Sequence, residues 1–417
     1  MEIYDYILDL EKRAKAASAA LNTASDKTRC AVLLDLADRV TAATDDILAA
    51  NARDLAAAAQ NGVAPQMMDR LKLTKERLSG MADAVRALAA LPDPVGGEKI
   101  WTTPAGLTIA ERRVPLGVVA MIFEARPNVT LDAAALCIRS GNAAVLRGGK
   151  EAVESSRAIC RVIGDALAAH GLPRDGVCLV ERTEREGAEA LMSIRGCIDV
   201  LIPRGGKGLI RNVVDNAKVP VIETGAGNCH VYVEKTADLA MARRIVENAK
   251  VQRPSVCNAA ECLLCDRAVA AEFLPLFEED MRRAGVEIRA DENCIGHFAH
   301  AVPATPEDFD TEYNDLIISV KVVADVRAAV EHINRHGTGH SEAIVTRSDA
   351  AAQYFTDRVD AAAVYVNTST RFTDGGEFGY GAEIGISTQK LHARGPMGLS
   401  ALTTVKYLVT SDGAVRK

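Results

Sequence analysis

The sequence has 417 residues, 48% of them hydrophobic and 25% charged, with a formal net charge of −7. Its length predicts two or more domains, and its charge excludes a broad basic surface for nucleic acid. The N-terminus has no signal-peptide pattern, and no apolar run reaches the ~20 residues of a membrane helix. Ten scattered cysteines fit reduced thiols. We therefore expect a cytoplasmic protein without nucleic-acid or membrane partners.

The N-terminal region is rich in alanine and has helical periodicity. Residues 1–60 predict long helices, with Asp26 as the cap of one of them, and a further helical stretch covers residues 71–91. Together these helices are expected to form a layer that covers a sheet. Proline and glycine are frequent over residues 92–106, which predicts a linker.

Two strand patterns lie far apart in the chain. One covers Leu107–Val114, and the other covers Leu402–Val409. Two isolated strands of this kind can pair into an arm, and such arms usually serve subunit assembly. We therefore expect a β-arm formed by residues 100–114 and 395–417, and a homo-oligomer.

Short apolar runs alternate with helical patterns from about residue 115 to 235, with a helix expected at Glu154–His170. Continuous apolar strands between helices are typical of a buried parallel sheet with right-handed crossovers. This predicts a doubly wound domain. The five runs are Gly117–Ile122, Ala143–Leu146, Val177–Val180, Asp199–Ile202 and Val219–Ile222.

A second series of the same kind begins at His230–Val233 and ends at Ala363–Asn367. Within it, Asp238 is expected to cap a helix, and a strand is expected around Glu261–Cys265. The predicted fold class is therefore α/β, with two doubly wound domains and the small β-arm.

Cys257 is a candidate nucleophile because it lies on a loop between two predicted elements. Pro254 ends the preceding helix, and catalytic residues are often placed on such loops. A thiol needs a positive neighbour to become a good nucleophile, and Arg253 supplies one only if the loop turns it inward. The alternative is that Cys257 is one small buried residue among ten cysteines.

A metal cluster is the rival interpretation of the same region. Cys257, Cys262 and Cys265 follow the C-x₄-C-x₂-C spacing of iron–sulfur proteins, with Cys294 as a fourth ligand. The residues between Cys262 and Cys265 are strand-like, so these two thiols should point to opposite faces. The histidines show no metal-binding spacing either. We therefore expect no metal site.

Polar residues and a glycine-rich turn follow several predicted strands. The turn at 204–208 can direct backbone N–H groups at a phosphate, although an ordinary tight turn explains it equally well. Glu223 ends another strand and either faces a ligand crevice or is solvated. Arg126 can bind an anion or form a surface salt bridge, and Asn128 can donate to an oxyanion.

Taken together, these segments resemble the γ-glutamyl phosphate reductases (glutamate-5-semialdehyde dehydrogenases) of the aldehyde dehydrogenase superfamily. The resemblance runs in order from about residue 20 to 410. Its motifs are VPLGVVAMIFEARPNVT (114–130), VLRGGKE (145–151), VIETGAGNCH (221–230), QRPSVCNA (252–259), GGEFGYGAEIGIST (375–388) and HARGPMGL (392–399).

The resemblance implies a nucleotide-binding domain at 1–225 without 100–114, a catalytic domain at 226–370, and a return of 371–394 to the first domain. It also implies the second step of proline biosynthesis, in which NADPH reduces L-glutamyl 5-phosphate to L-glutamate 5-semialdehyde and phosphate. The cofactor would then be NADPH/NADP, and glutamate 5-kinase is suggested as a partner.

The resemblance also implies roles for single residues. Cys257 would form a thioester, and the Asn128 side chain and the Cys257 N–H would hold its oxyanion. Glu223 matches the general base of aldehyde-oxidising relatives, a role that reduction does not require. Arg147 and Lys150 would lie near the adenosine ribose, where a cation suits the 2′-phosphate of NADPH.

Further coenzyme and substrate residues follow from the same comparison of motifs. Glu312 matches the glutamate that binds the nicotinamide ribose. Arg204, Gly205 and Gly206 stand in place of the usual superfamily loop G-S-T-x-x-G and are expected to bind the coenzyme. The expected substrate-binding residues are Arg126, Arg253, Asn367 and Arg371.

Overall fold

The computed structural model describes residues 1–63, 65–124 and 126–416. Within these residues none of the helices is both long and apolar enough to cross a membrane. The α-helices described there are α1 (Ile3–Thr23), α2 (Asp26–Ala42), α3 (Thr44–Gln60), α4 (Pro65–Leu71), α5 (Lys75–Ala89), α6 (Asn128–Arg139), α7 (Val153–Ala169), α8 (Arg185–Ser193), α9 (Lys207–Asn216), α10 (Leu239–Val251), α11 (Ala270–Arg283), α12 (Val326–His336) and α13 (Asp349–Arg358).

Within the described residues the strands form four sheets, and the chain divides into two compact units. Unit 1 contains Met1–Glu223, Tyr380–Gly385 and Met397–Lys417, and unit 2 contains Thr224–Gly379 and Ile386–Pro396. The strands are β1 (Glu98–Thr102), β2 (Thr108–Pro115), β3 (Val118–Phe123), β4 (Ala143–Arg147), β5 (Val177–Leu179), β6 (Val200–Arg204), β7 (Cys229–Val233), β8 (Ala260–Asp266), β9 (Glu287–Ala290), β10 (Val302–Pro303), β11 (Ile317–Val323), β12 (Ser341–Val345), β13 (Ala363–Val366), β14 (Ile386–Ser387), β15 (Gly395–Pro396) and β16 (Thr403–Thr410).

The core of unit 1 is a parallel sheet in the order β5-β4-β3-β6. Every residue of β3 is buried, and its alternate residues Val118, Ala120 and Ile122 share one apolar cluster with α1. A strand buried on both faces needs no polar alternation, which explains the continuous apolar runs in the sequence.

Three local predictions for unit 1 were wrong. Val219–Ile222 forms a single bridge, Leu201 to Val221, instead of a strand, because Pro220 has no N–H to donate to a ladder. The N-cap of α2 is Ser25, whose side chain accepts from the N–H of Thr28, and Asp26 is the first helical residue. Glu98–Thr102, which lies in the predicted linker and enters the predicted arm only at residue 100, forms β1 and pairs with β2.

Unit 2 has a seven-stranded parallel sheet in the order β10-β9-β11-β8-β7-β12-β13. Apolar clusters cover both of its faces, one with Val231 and Leu263, the other with Tyr232 and Leu264. Asp238 accepts from the N–H of Met241, so its predicted capping of α10 is confirmed. The α/β fold class with two doubly wound sheets is also confirmed.

The predicted arm is a three-stranded antiparallel sheet, β1-β2-β16. β16 pairs with β2 from Thr403–Pro115 to Thr410–Thr108, which confirms the pairing expected from the sequence. Ile100, Tyr407 and Val409 expose large apolar surfaces on it. Subunit assembly through this sheet stays a prediction.

Candidate active site

Cys257 lies in unit 2, on the loop that joins α10 to β8. Its side chain is half-buried, in contrast to the buried Cys262 and Cys265 that follow on β8. The carbonyl oxygen of Cys257 accepts a hydrogen bond from Sγ of Cys229, at 3.2 Å. The loop prediction is thus confirmed, and the thiol retains exposure that a packed core cysteine would lack.

The chain at Gly227 passes directly over the backbone of Cys257. A Cβ atom built on Gly227 would lie 1.4 Å from the Cys257 carbonyl oxygen, so no side chain fits there. The N–H of Gly227 donates to Oε1 of Glu312, at 2.9 Å. Glu312, expected at the nicotinamide ribose, therefore uses one carboxylate oxygen to hold the segment that supports the nucleophile.

Asn258 ties the nucleophile loop to the turn after β13. Its Nδ2 donates to the carbonyl of Thr373 at 2.9 Å, and its own carbonyl accepts from the Thr370 hydroxyl at 2.7 Å. Arg371 also donates through Nη1 to Oδ1 of Asn258. The sequence reasoning did not single out Asn258; its position beside Cys257 was the only signal.

Arg371 is a basic group whose charge bears on Cys257. Burial and repulsion from Arg253 lower the pKa of Arg371, and attraction to Cys257 opposes this shift. Its Nε donates to Oε1 of Gln252 at 3.0 Å, which fixes the guanidinium against the loop. Arg253 itself is exposed. A cation held beside a thiol favours the reactive thiolate.

The side chain of Asn367 is hydrogen-bonded to the backbone of Thr346. Its φ is 55°, and its side-chain amide exchanges two hydrogen bonds of 2.9 Å with the N–H and C=O of Thr346. The structure thus gives this amide a task different from the expected one, and its role in substrate binding stays a prediction.

A cavity of about 250 Å³ opens beside Arg371 in unit 2. It presents one guanidinium together with two carboxyl groups, a combination that suits a zwitterionic amino-acid group. Its lining residues are Asn248, Gln252, Arg371, Phe372, Asp374 and Glu377.

Unit 1 carries Asn128 at the first position of α6. Its Nδ2 donates to Oδ2 of Asp132 at 3.0 Å. Burial raises the pKa of Asp132 to about 6, against the lowering effects of Asn128 and Arg204. The amide nitrogen has two hydrogens, so Asp132 orients the group and leaves the second hydrogen for another acceptor. Arg126 is exposed in the turn before α6.

The glycine-rich turn between β6 and α9 is bound to Glu124. The N–H of Gly206 donates to Oε2 of Glu124 at 3.0 Å, and a Cβ on Gly205 would lie 2.7 Å from the Glu124 carboxyl carbon. The Gly206 N–H, expected at a coenzyme phosphate, thus already has an anionic partner. Arg204 ends β6, and its charge reaches Asp132.

Arg147 is the last residue of β4, and Lys150 follows it three positions later. Nη2 of Arg147 donates weakly to the carbonyls of Thr183 and Glu184, at 3.4 and 3.3 Å, while its buried Nε has no partner among the described residues. Burial lowers the pKa of Arg147. Lys150 is exposed. This orphaned donor and exposed cation fit an anionic ligand.

The iron–sulfur interpretation fails on geometry. Cys262 belongs to the apolar cluster on one face of the sheet, while Cys265 and Cys294 belong to the cluster on the other face. Three thiols on two faces cannot share one cluster, so the strand argument made from the sequence is confirmed.

Glu223 is half-buried and ends the long N-terminal segment of unit 1.

Comparisons with known proteins agree with these features. The model of the aldehyde dehydrogenase family matches residues 7–301. γ-Glutamyl phosphate reductases from Carboxydothermus hydrogenoformans and Enterococcus faecalis are 53% and 51% identical, over 99% and 100% of this chain and all of each relative. The crystal structure of γ-glutamyl phosphate reductase from Thermotoga maritima matches with a TM-score of 0.97 at 45% identity, over 99% of this chain and 100% of that one.

The chain belongs to the γ-glutamyl phosphate reductase family. It is therefore an oxidoreductase of the aldehyde dehydrogenase family, whose members use NAD or NADP. The resemblance found in the sequence motifs is confirmed over essentially the whole chain.

Proposed function

We propose that the chain reduces L-glutamyl 5-phosphate to L-glutamate 5-semialdehyde with NADPH and releases phosphate, as the second step of proline biosynthesis. The observation that carries the proposal is the half-buried thiol of Cys257 on a loop held by Gly227, Asn258 and Glu312. The names of the relatives support the substrate.

The chemistry begins with attack of the Cys257 thiolate on the γ-acyl carbon. The C–S bond forms, the C–O bond to phosphate breaks, and inorganic phosphate carries away the negative charge. Covalent catalysis of this kind divides one difficult displacement into easier steps. NADPH, when bound, supplies the hydride that reduces the thioester carbon. Collapse of the thiohemiacetal then gives the aldehyde and returns the electron pair to sulfur.

The oxyanion that develops in these steps needs preorganised donors. We assign this role to the Cys257 N–H, and Asn128, whose Nδ2 is bound to Asp132 through one hydrogen, stays the candidate side-chain donor expected from the sequence. One such donor contributes roughly 3–4 kcal/mol in comparable sites. Glu223 has no necessary part, because no water is activated when phosphate leaves.

Two further sets of residues would hold the small molecules. Arg147 and Lys150 would hold the 2′-phosphate of NADPH, for which the orphaned Nε and the exposed ammonium provide the positive charge. Arg371, with Asp374 and Glu377 in the same cavity, would bind the α-carboxylate and α-ammonium of the substrate.

The test uses the reverse reaction, because glutamate semialdehyde is easier to handle than the labile acyl phosphate. NADP⁺ reduction by wild-type enzyme should require inorganic phosphate as the acyl acceptor. Cys257→Ser should abolish turnover, while Cys30→Ser, at another half-buried thiol, should retain it. A steady-state rate that does not depend on phosphate would instead support thioester hydrolysis and contradict the proposal.

A further inference from the structure

A buried cluster of two imidazoles and one thiol lies in unit 2. His230 on β7 and Cys262 on β8 occupy paired positions of neighbouring strands, and His332 on α12 covers the same face. All three residues are buried. One nitrogen of each histidine and Sγ of Cys262 lie within 4.8 Å of one another, and Sγ is 4.0 Å from Nε2 of His332.

His230 is oriented by a buried carboxylate. Its Nδ1 lies 3.0 Å from Oε2 of Glu342, and its backbone N–H donates to the same oxygen at 2.7 Å. Glu342 is therefore an acceptor, which places a ring proton on Nδ1 and leaves Nε2 for another partner. Within the described residues Nε2 is buried and has no hydrogen-bond partner. A buried ring nitrogen without a well-formed hydrogen bond, beside a thiol and a second imidazole, fits a metal ion.

We propose that His230, Cys262 and His332 bind one Zn²⁺ ion. Two imidazole nitrogens and one thiolate form a donor set that zinc prefers, and Glu342 supplies the hydrogen bond that orients metal-binding histidines. Binding forms one Zn–S and two Zn–N bonds, and the protons on Cys262 Sγ and His230 Nε2 leave to solvent. One coordination position remains for water.

Zinc binding requires the three ligand atoms to draw together. Tetrahedral zinc with ordinary bond lengths places its ligand atoms about 3.3–3.6 Å apart, against the 4.0 Å from Sγ of Cys262 to Nε2 of His332 and the limit of 4.8 Å for the whole cluster. The bound ion would join α12 to the central strands of the sheet, so it stabilises unit 2 and takes no part in the reaction proposed above.

The experiment measures retained zinc on untagged, reduced enzyme that has been stripped with chelator, incubated with ZnCl₂ and desalted. We expect one zinc per chain, an increase in Tm on binding, and a thiolate-to-metal charge-transfer band when Co²⁺ replaces Zn²⁺. Cys262→Ser and His332→Gln should each lose the retained ion, and Cys262→Ser should also lose the band.

Two control variants separate this site from other thiols. Cys265→Ser changes the same strand on its opposite face, and Cys257→Ser removes the reactive thiol; both should retain zinc and the increase in Tm. No retained zinc in the wild type, retention unchanged in Cys262→Ser and His332→Gln, or loss only in Cys257→Ser would each overturn the proposal. None of these outcomes depends on the reductase activity.

Discussion

The substitution Gly227→Ala should disable catalysis while the fold is kept. The new Cβ would lie 1.4 Å from the carbonyl oxygen and 2.3 Å from the carbonyl carbon of Cys257. Carbon–oxygen contacts lie at about 3.3 Å or more, so one of the two segments must move by about 1.9 Å. Misplacement of a reacting group by 1 Å costs about 100-fold. We therefore expect kcat to fall at least about 100-fold, equivalent to about 2.7 kcal/mol.

The assay is the phosphate-dependent reduction of NADP⁺ by glutamate semialdehyde, with circular dichroism and Tm as checks of folding. Gly296→Ala is the matched control, because a Cβ there has no neighbour within 4 Å and its φ is not positive. It should keep wild-type kcat. A folded Gly227→Ala enzyme with wild-type kcat would refute the reasoning, because the nucleophile would then tolerate the displacement.

Three more changes test other parts of the account. Glu261→Gln leaves the buried ammonium of Lys250 without its counter-charge and should lower the free energy of unfolding by about 3 kcal/mol in urea titrations; an unchanged midpoint contradicts this. Lys150→Ala should raise KM for NADPH about tenfold and leave KM for NADH unchanged, and equal effects on both would exclude a 2′-phosphate contact. Burial raises the pKa of Asp132 from 3.8 to about 6, so folding favours the protonated carboxyl group. The Tm of the wild type minus the Tm of Asp132→Asn should therefore fall as pH rises from 3.8 through about 6. A Tm difference that stays constant over this window contradicts the prediction.

The sequence predicted the secondary structure best where one pattern decided it. The buried strand β3 was predicted from a continuous apolar run, and the cap at Asp238 from its residue type ahead of a helical apolar pattern. Val219–Ile222 has the same apolar composition as a strand, but its pairing depends on an N–H that Pro220 lacks. Ser25 and Asp26 are both good caps, and only the backbone geometry distinguishes them.

The sequence indicates which residues are candidates for the site, but it does not indicate which atoms they contact. Motifs singled out Cys257 and Glu312 as candidates, but the hydrogen bond from Gly227 to Glu312 joins positions far apart in sequence and required the fold. The same holds for Asn258, whose partners lie in the turn after β13. Asn367 differs from these residues. Its position after a strand suggested a contact with a ligand, and in the structure its side-chain amide forms two hydrogen bonds with the backbone of Thr346.

The most direct test of the account is detection of the acyl-enzyme by mass spectrometry. Enzyme mixed with NADP⁺ and glutamate semialdehyde without phosphate, and quenched in acid to protonate the α-amine, should carry a γ-glutamyl group on Cys257. Addition of phosphate before the quench should remove this group. A γ-glutamyl group on another residue, or one on Cys257 that phosphate does not discharge, would contradict the central claim.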